Sequence, residues 1–174
     1  INKEILIFSI LLIFALWIYS HKLRKKALLS EVSASLLMIS FFVGLSVLNW
    51  RIDLTLILFI TYIFTIDLTR EIIKKMTSIK GDLIVGEKSI PIFFGIKKSK
   101  YIIFFLMLSS QFAILLLLPA IISQLFSYYF MLAFIIILFS IYLLHNAKIS
   151  KQFQLINNIY KVLIGLAILS IVLY

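Results

Sequence analysis

The sequence predicts an all-α protein, a polytopic transmembrane helical bundle forming a single membrane domain over residues 1–174, and three observations carry that expectation. First, 63% of the residues are hydrophobic and the mean hydropathy is +1.16, whereas soluble domains are about 45–50% apolar. Second, apolar runs occupy residues 5–19, 27–48, 52–73, 101–126, 128–144 and 159–174. Crossing ~30 Å of hydrocarbon takes about 20 residues at ~1.5 Å each, so these six runs read as spans, the first of them short. Six such runs leave too little polar surface to cover a soluble globule. Third, the basic residues fall on alternate connections, as they do when one side of a membrane is cytoplasmic.

Each span has its own justification. The run at 5–19 follows Glu4 and ends in Lys22, Arg24, Lys25 and Lys26 rather than at a small-residue cleavage site, so it reads as a span and not a signal peptide. The run at 27–48 carries Glu31 one turn in and leads to Arg51. The run at 52–73 leads into a charged segment extending to Lys100. Ser109, Ser110 and Gln111 in the run at 101–126 are expected to hydrogen-bond between helices, and Pro119 is the one proline inside a span. An uncharged turn around Ser127 separates the next run, and Lys148 and Lys151 precede the last. The loops after the first, third and fifth spans are therefore expected in the cytoplasm, with the chain start outside. The net charge of +10 is assigned to topology, and no nucleic-acid partner is expected. Without cysteine there is no disulfide, thiolate nucleophile or thiolate metal site. His21 has no His or Cys partner nearby in sequence, so no metal role is expected for it.

Four of the chain's seven carboxylates, Asp67, Glu71, Asp82 and Glu87, fall within residues 67–95. A carboxylate at membrane depth is costly unless it faces a cation, a metal or a polar cavity. Asp67 and Glu71 are four apart and share one face of a helix continuing from the third span. Asp82 and Glu87 follow in an expected loop over about 67–100, punctuated by Gly81, Gly86, Pro91 and Gly95. Arg70, Lys74, Lys75, Lys80 and Lys88 are interleaved. Two readings fit these residues. Acids holding a hard cation beside bases holding phosphate oxygens make a Mg²⁺–diphosphate site; alternatively this is a solvated interfacial loop whose charge pairs stabilise a helix end.

The order Asp67, Arg70-Glu71, Lys74, Gly81-Asp82, Gly86, Ser89-Ile90-Pro91 and Gly95 resembles the second signature of the UbiA-type intramembrane prenyltransferases. Tyr19 with Leu23-Arg24 is similar to that family's Tyr and Leu-Lys segment, and "QLINNIYKVLIGLAIL" resembles its last helix, with Lys161 and Gly165 in matching places. Within the superfamily the Arg-Glu-x-x-Lys form and the tail look most like the geranylgeranylglycerol-phosphate geranylgeranyltransferase branch. The resemblance implies the last six helices of a nine-helix fold in a bacterial or archaeal cell membrane. The family's first Asp-rich signature is absent from residues 1–66, so a portion of a longer protein is expected. It further implies prenyl transfer from a prenyl diphosphate to a lipid-precursor or quinone-precursor acceptor, with Mg²⁺ as cofactor. The implied catalytic and metal residues are Asp67, Glu71 and Asp82, and the implied diphosphate ligands are Arg24, Arg70 and Lys74. Glu31 and Lys161 are cavity or acceptor candidates, although Glu31 equally reads as an interfacial residue paired with Arg24 or a lysine.

Lys75 and Ser78 stand where the family pattern has aspartates. A lysine cannot ligate Mg²⁺ and a serine is a weak ligand, so the metal site is weakened. Two other classes fit a chain of this kind: a catalytically degenerate scaffold, and a transporter, for which no internal repeat is visible.

Overall fold

The structure is a computed structural model that describes residues 3–49, 53–121 and 126–170. Arg51 and the expected span limits at 52 and 174 lie outside these residues. Helix α1 (Lys3–Ile18) runs into a π-helical turn (Tyr19–Leu23). Helices α2 (Leu29–Asn49), α3 (Leu54–Thr77), α4 (Ile79–Val85), α5 (Ile90–Ile121), α6 (Phe126–Asn146) and α7 (Ser150–Ser170) follow, with no strand among the described residues. Four segments, Leu6–Leu23, Ile90–Ile121, Phe126–Asn146 and Ser150–Ser170, are by length and composition apolar enough to cross a membrane. Charged residues Asp67 to Lys75 in its last turns take α3 out of that count, although it packs among these helices.

The six expected spans are present as helices, with corrected boundaries. Helix α7 begins at Ser150 rather than 159, because its first turns are polar and a hydropathy run sees only the apolar part. The segment expected as a loop over 67–100 is mostly helical: α3 continues to Thr77, Asp82 sits on α4, and α5 starts at Ile90. Of the four residues read as turn formers, Gly81 lies inside α4, and the other three stop, start or break helices. Gly86 caps α4 at φ 74, donating its N–H to the Asp82 and Leu83 carbonyls, a conformation that a side chain disfavours. Pro91 occupies the first turn of α5, where its missing N–H is not required. Gly95, at φ 80 and ψ 163, breaks α5 between that turn and its long apolar part.

Helices α3, α5, α6 and α7 form a closed group in which α3 packs on α5 and α7, and α6 packs on the same two; α2 covers another side of α3, and α1 lies on α2. The buried positions show why. On α5 they include Ile103, Met107, Ser110, Ile114, Leu117 and Ile121, with Gln111 and Ala113 beside this row; on α6 they include Phe126, Phe130, Ala133, Ile137, Ser140 and Leu144. Alternating steps of three and four mark the stripe of left-handed helix packing. Inside the group, Phe59 and Tyr62 of α3 meet Phe126, Tyr129 and Phe130 of α6, with Tyr62 and Phe130 centroids 5.2 Å apart. Tyr129 donates to the Leu163 carbonyl of α7 (3.1 Å), which leaves the Tyr62 hydroxyl to donate to Tyr129 (2.7 Å). Gln111 Nε2 donates to the Phe134 carbonyl (2.9 Å), as expected for an interhelical bond, whereas Ser110 bonds within its own helix and Ser109 is exposed.

The connections following α1, α3 and α6 meet at one end of the bundle. Arg24 Nε lies 2.8 Å from Glu87 Oε1, Ser150 Oγ donates to the Thr77 carbonyl (3.3 Å), and Lys100 Nζ donates to the Ala147 carbonyl (2.5 Å). These are three of the basic connections whose alternation indicated the topology.

Substituting Tyr129→Phe removes both hydroxyl bonds and strands the buried Tyr62 hydroxyl, so the unfolding free energy in detergent should fall by about 1–3 kcal/mol. An unchanged unfolding midpoint would contradict the three-helix connection.

Candidate functional site

The four acids of residues 67–95 form two groups at the end of the bundle where those connections meet. In the first, Asp67 and Glu71 project from one face of α3, both buried, and Arg70 lies between them. Arg70 Nε is 3.1 Å from Asp67 Oδ1, the same guanidinium contacts Glu71 Oε1, and Lys74 Nζ is 3.3 Å from Glu71 Oε2. In the second, Lys75 Nζ lies 2.6 Å from Glu87 Oε2 and 3.3 Å from Asp82 Oδ2, while Arg24 Nε reaches Glu87 Oε1 at 2.8 Å. The Asp82 contact is an ion pair without hydrogen-bond geometry, since Oδ2 is buried with no hydrogen-bond partner. Each group holds two acids and two bases and is formally neutral.

Local structure places each member. Spacings of three and four put Asp67, Arg70, Glu71 and Lys74 on adjoining positions of one helix surface. Lys75 is turned towards α4 and the Glu87 connection, and the left-handed Gly86 directs the chain so that Glu87 returns to it. Arg24 arrives from the far side because α1 ends in a π-helical turn, with the Arg24 N–H bonded to the Tyr19 carbonyl (3.0 Å). The Trp17 and His21 rings meet across that turn at a 32° tilt, with centroids 4.9 Å apart. The Lys75 hydrogen bond outweighs desolvation and, with Arg24, holds the Glu87 carboxyl below its ordinary range. A lowered folded value means that this contribution to stability is complete above the unfolded-state value and is lost as pH falls through the lowered one.

Among the described residues Glu31 makes no ion pair, so it is not the partner of Arg24 or a lysine. It is 1% exposed, and its Oε1 accepts the N–H of Ile90 at 2.8 Å, so it caps α5 from α2. Its other oxygen is buried without a hydrogen-bond partner, as are the hydroxyls of Ser35 and Ser89. Arg24, proposed as a partner for Glu31, pairs with Glu87 instead. Lys161 lies on the exposed side of α7 in a stripe with Gln154, Asn158 and Gly165, and no motif carboxylate pairs with it among the described residues. Ser78, at the end of α3, bonds to the Lys74 carbonyl and is not turned to the acids. Asn157 and Tyr160 were not singled out from the sequence, yet both are buried on α7 with Oδ1 and OH unpartnered. The asparagine could have been found as a polar residue on the α7 packing stripe; Tyr160 has no such signal, because an aromatic residue in an apolar run reads as lipid-facing.

The donor set does not fit a divalent cation as arranged. Every motif carboxylate has a Lys or Arg within 4 Å, and among the described residues no three His, Cys, Asp or Glu groups converge as a metal site.

An apolar helical bundle with paired acids and bases gathered at one end defines an integral membrane protein with a charged mouth. The chain matches the UbiA prenyltransferase family over residues 1–170 and belongs to that family. It is 29% identical over 104 residues to the digeranylgeranylglyceryl phosphate synthase of Sulfurisphaera tokodaii, a match covering 59% of this chain and 37% of that protein. The match thus spans little more than a third of the relative's length. No solved structure matches the chain.

Replacing Glu31 by Ala leaves the Ile90 N–H without its acceptor in a buried site, and should destabilise the protein by about 1–3 kcal/mol. Glu31→Gln retains an acceptor oxygen and should recover most of the loss; equal losses for the two variants would exclude capping as the role of Glu31.

Proposed function

We propose that this chain acts as an integral membrane prenyltransferase, carrying a prenyl group from a prenyl diphosphate to a prenylated glyceryl phosphate acceptor. The observation carrying the reading is the gathering of the family's motif residues, Asp67, Arg70, Glu71, Lys74 and Asp82, at one end of an otherwise apolar bundle. The name of the Sulfurisphaera tokodaii relative supports the acceptor class, as does the branch that the Arg-Glu-x-x-Lys form resembles. The excess of Lys and Arg in its connections turns this end towards the cytoplasm.

The prenyl tail lies among apolar helices, and the diphosphate lies against the basic residues of the mouth. Lys74 and Arg24 have side chains 51% and 59% exposed and keep N–H donors free for phosphate oxygens, whereas Arg70, at 20%, is largely engaged by Asp67 and Glu71. Arg70 is thus assigned to positioning as much as to binding. As the C1–O bond of the donor breaks, its electron pair leaves with the diphosphate, whose growing charge Lys74 and Arg24 stabilise. The acceptor hydroxyl oxygen then bonds to C1 and releases its proton. Glu71 holds Lys74 in place and Glu87 holds Arg24, while Asp67 fixes Arg70 and Asp82 pairs with Lys75.

Membranes containing the protein, given labelled geranylgeranyl diphosphate and geranylgeranylglyceryl phosphate, should yield the doubly prenylated product. Lys74→Ala should lower kcat/KM by about 10²-fold, the scale of losing one charge-stabilising donor, with the melting temperature nearly unchanged. Absence of turnover with prenyl diphosphates of several lengths, at any Mg²⁺ concentration, would favour the non-catalytic scaffold. Unchanged turnover in Asp82→Asn would remove Asp82 from the machinery.

A further inference from the structure

We propose that Lys75 is a built-in counter-cation that holds Asp82 and Glu87 together at the mouth of the bundle, in the place between the two carboxylates that a divalent ion would otherwise take. The geometry is that of an ion bridged by two acids: one ammonium nitrogen lies 2.6 Å from Glu87 Oε2 and 3.3 Å from Asp82 Oδ2. The three side chains are only 10–14% exposed, so water screens the pair of carboxylates weakly and their mutual repulsion demands a cation. Lys75 supplies it from α3, Asp82 comes from α4 and Glu87 from the connection after Gly86. The ammonium therefore joins three consecutive elements.

Two features make this an alternative to metal rather than an addition to it. An ammonium has three donors and no lone pair, so it occupies the space between the acids without leaving a ligand position. Glu87 is also engaged at both oxygens, Oε2 by Lys75 and Oε1 by Arg24, which removes the bidentate carboxylate that a hard cation favours. Because the cation is covalently tethered, the mouth assembles at any divalent-ion concentration. Lys75 is thus a positioning residue, and the assignment stands on ion-pair geometry independently of the reaction proposed above.

Mn²⁺ binding to the purified protein in detergent, followed by electron paramagnetic resonance of the free ion, tests this without an activity assay. In the wild type, Asp82→Asn should leave Mn²⁺ binding unchanged, since Asp82 already has its cation. Lys75→Asp should gain Mn²⁺ affinity by about tenfold or more, and adding Asp82→Asn to that variant should abolish the gain; Lys75→Arg should behave as the wild type. Should Lys75→Asp fail to fold, Lys75→Met carries the test, and Mn²⁺ should raise its melting temperature more than that of the wild type. Asp82-dependent Mn²⁺ binding in the wild type would overturn the proposal. So would a folded Lys75→Asp without a gain, or an equal thermal shift in Lys75→Met and the wild type.

Discussion

Four carboxylates at the end of a hydrophobic bundle have to be neutralised, and the charged mouth is organised around how that is done. Asp67 and Glu71 are buried on α3 next to Arg70 and Lys74, while Asp82 and Glu87 close on Lys75 and Arg24. An unpaired buried charge costs several kcal/mol, so the buried acids Asp67 and Glu71 do not tolerate loss of their partner Arg70 easily. Pairing also ties separate parts of the chain together. The second group joins the π-helical end of α1, the last turn of α3, the short helix α4 and the approach to α5. The Glu31 bond to the Ile90 N–H adds α2 to the same end.

This arrangement changes the meaning of the two departures from the family motif. With aspartates at both positions the segment would be rich in anionic ligands. Lys75 instead makes its surroundings neutral from within, while Ser78 is spent on the end of its own helix. The bases left with exposed side chains are Lys74 and Arg24, where the proposed function puts the anionic headgroup. The ancestry and the charge arrangement are therefore separable: the spacing preserves the family pattern, and one substitution alters what the site asks of a metal.

Much of the fold was legible before the structure, for definite reasons. Apolar runs of bilayer length located six helices, and alternation of basic connections placed Arg24, Glu87, Thr77 and Ser150 at one end, where contacts join them. The inward faces were not legible, because lipid-facing and core-facing positions are equally apolar, and the steps of three and four in α5 and α6 emerge only with burial known. The segment after α3 was read as loop because Gly86, Pro91 and Gly95 are turn formers; here they stop, start and break helices. The charged residues that the structure brings together stand out in the sequence, but their pairing does not, since Lys75 to Glu87 spans twelve positions and depends on the positive φ of Gly86. Glu31 was noticed as an acid in a span, yet its partner, a backbone N–H 59 residues away, has no sequence signal.

A double-mutant cycle on Lys75 and Glu87, using Lys75→Met, Glu87→Gln and both together, addresses the internal neutralisation most directly. For a largely buried, charge-assisted pair at 2.6 Å, the coupling measured from unfolding in detergent should be about 1–3 kcal/mol, weakening little when salt is raised because the pair is shielded from solvent. A coupling near zero would contradict the account, since it would mean that the acids at the mouth are held by something other than the lysine among them.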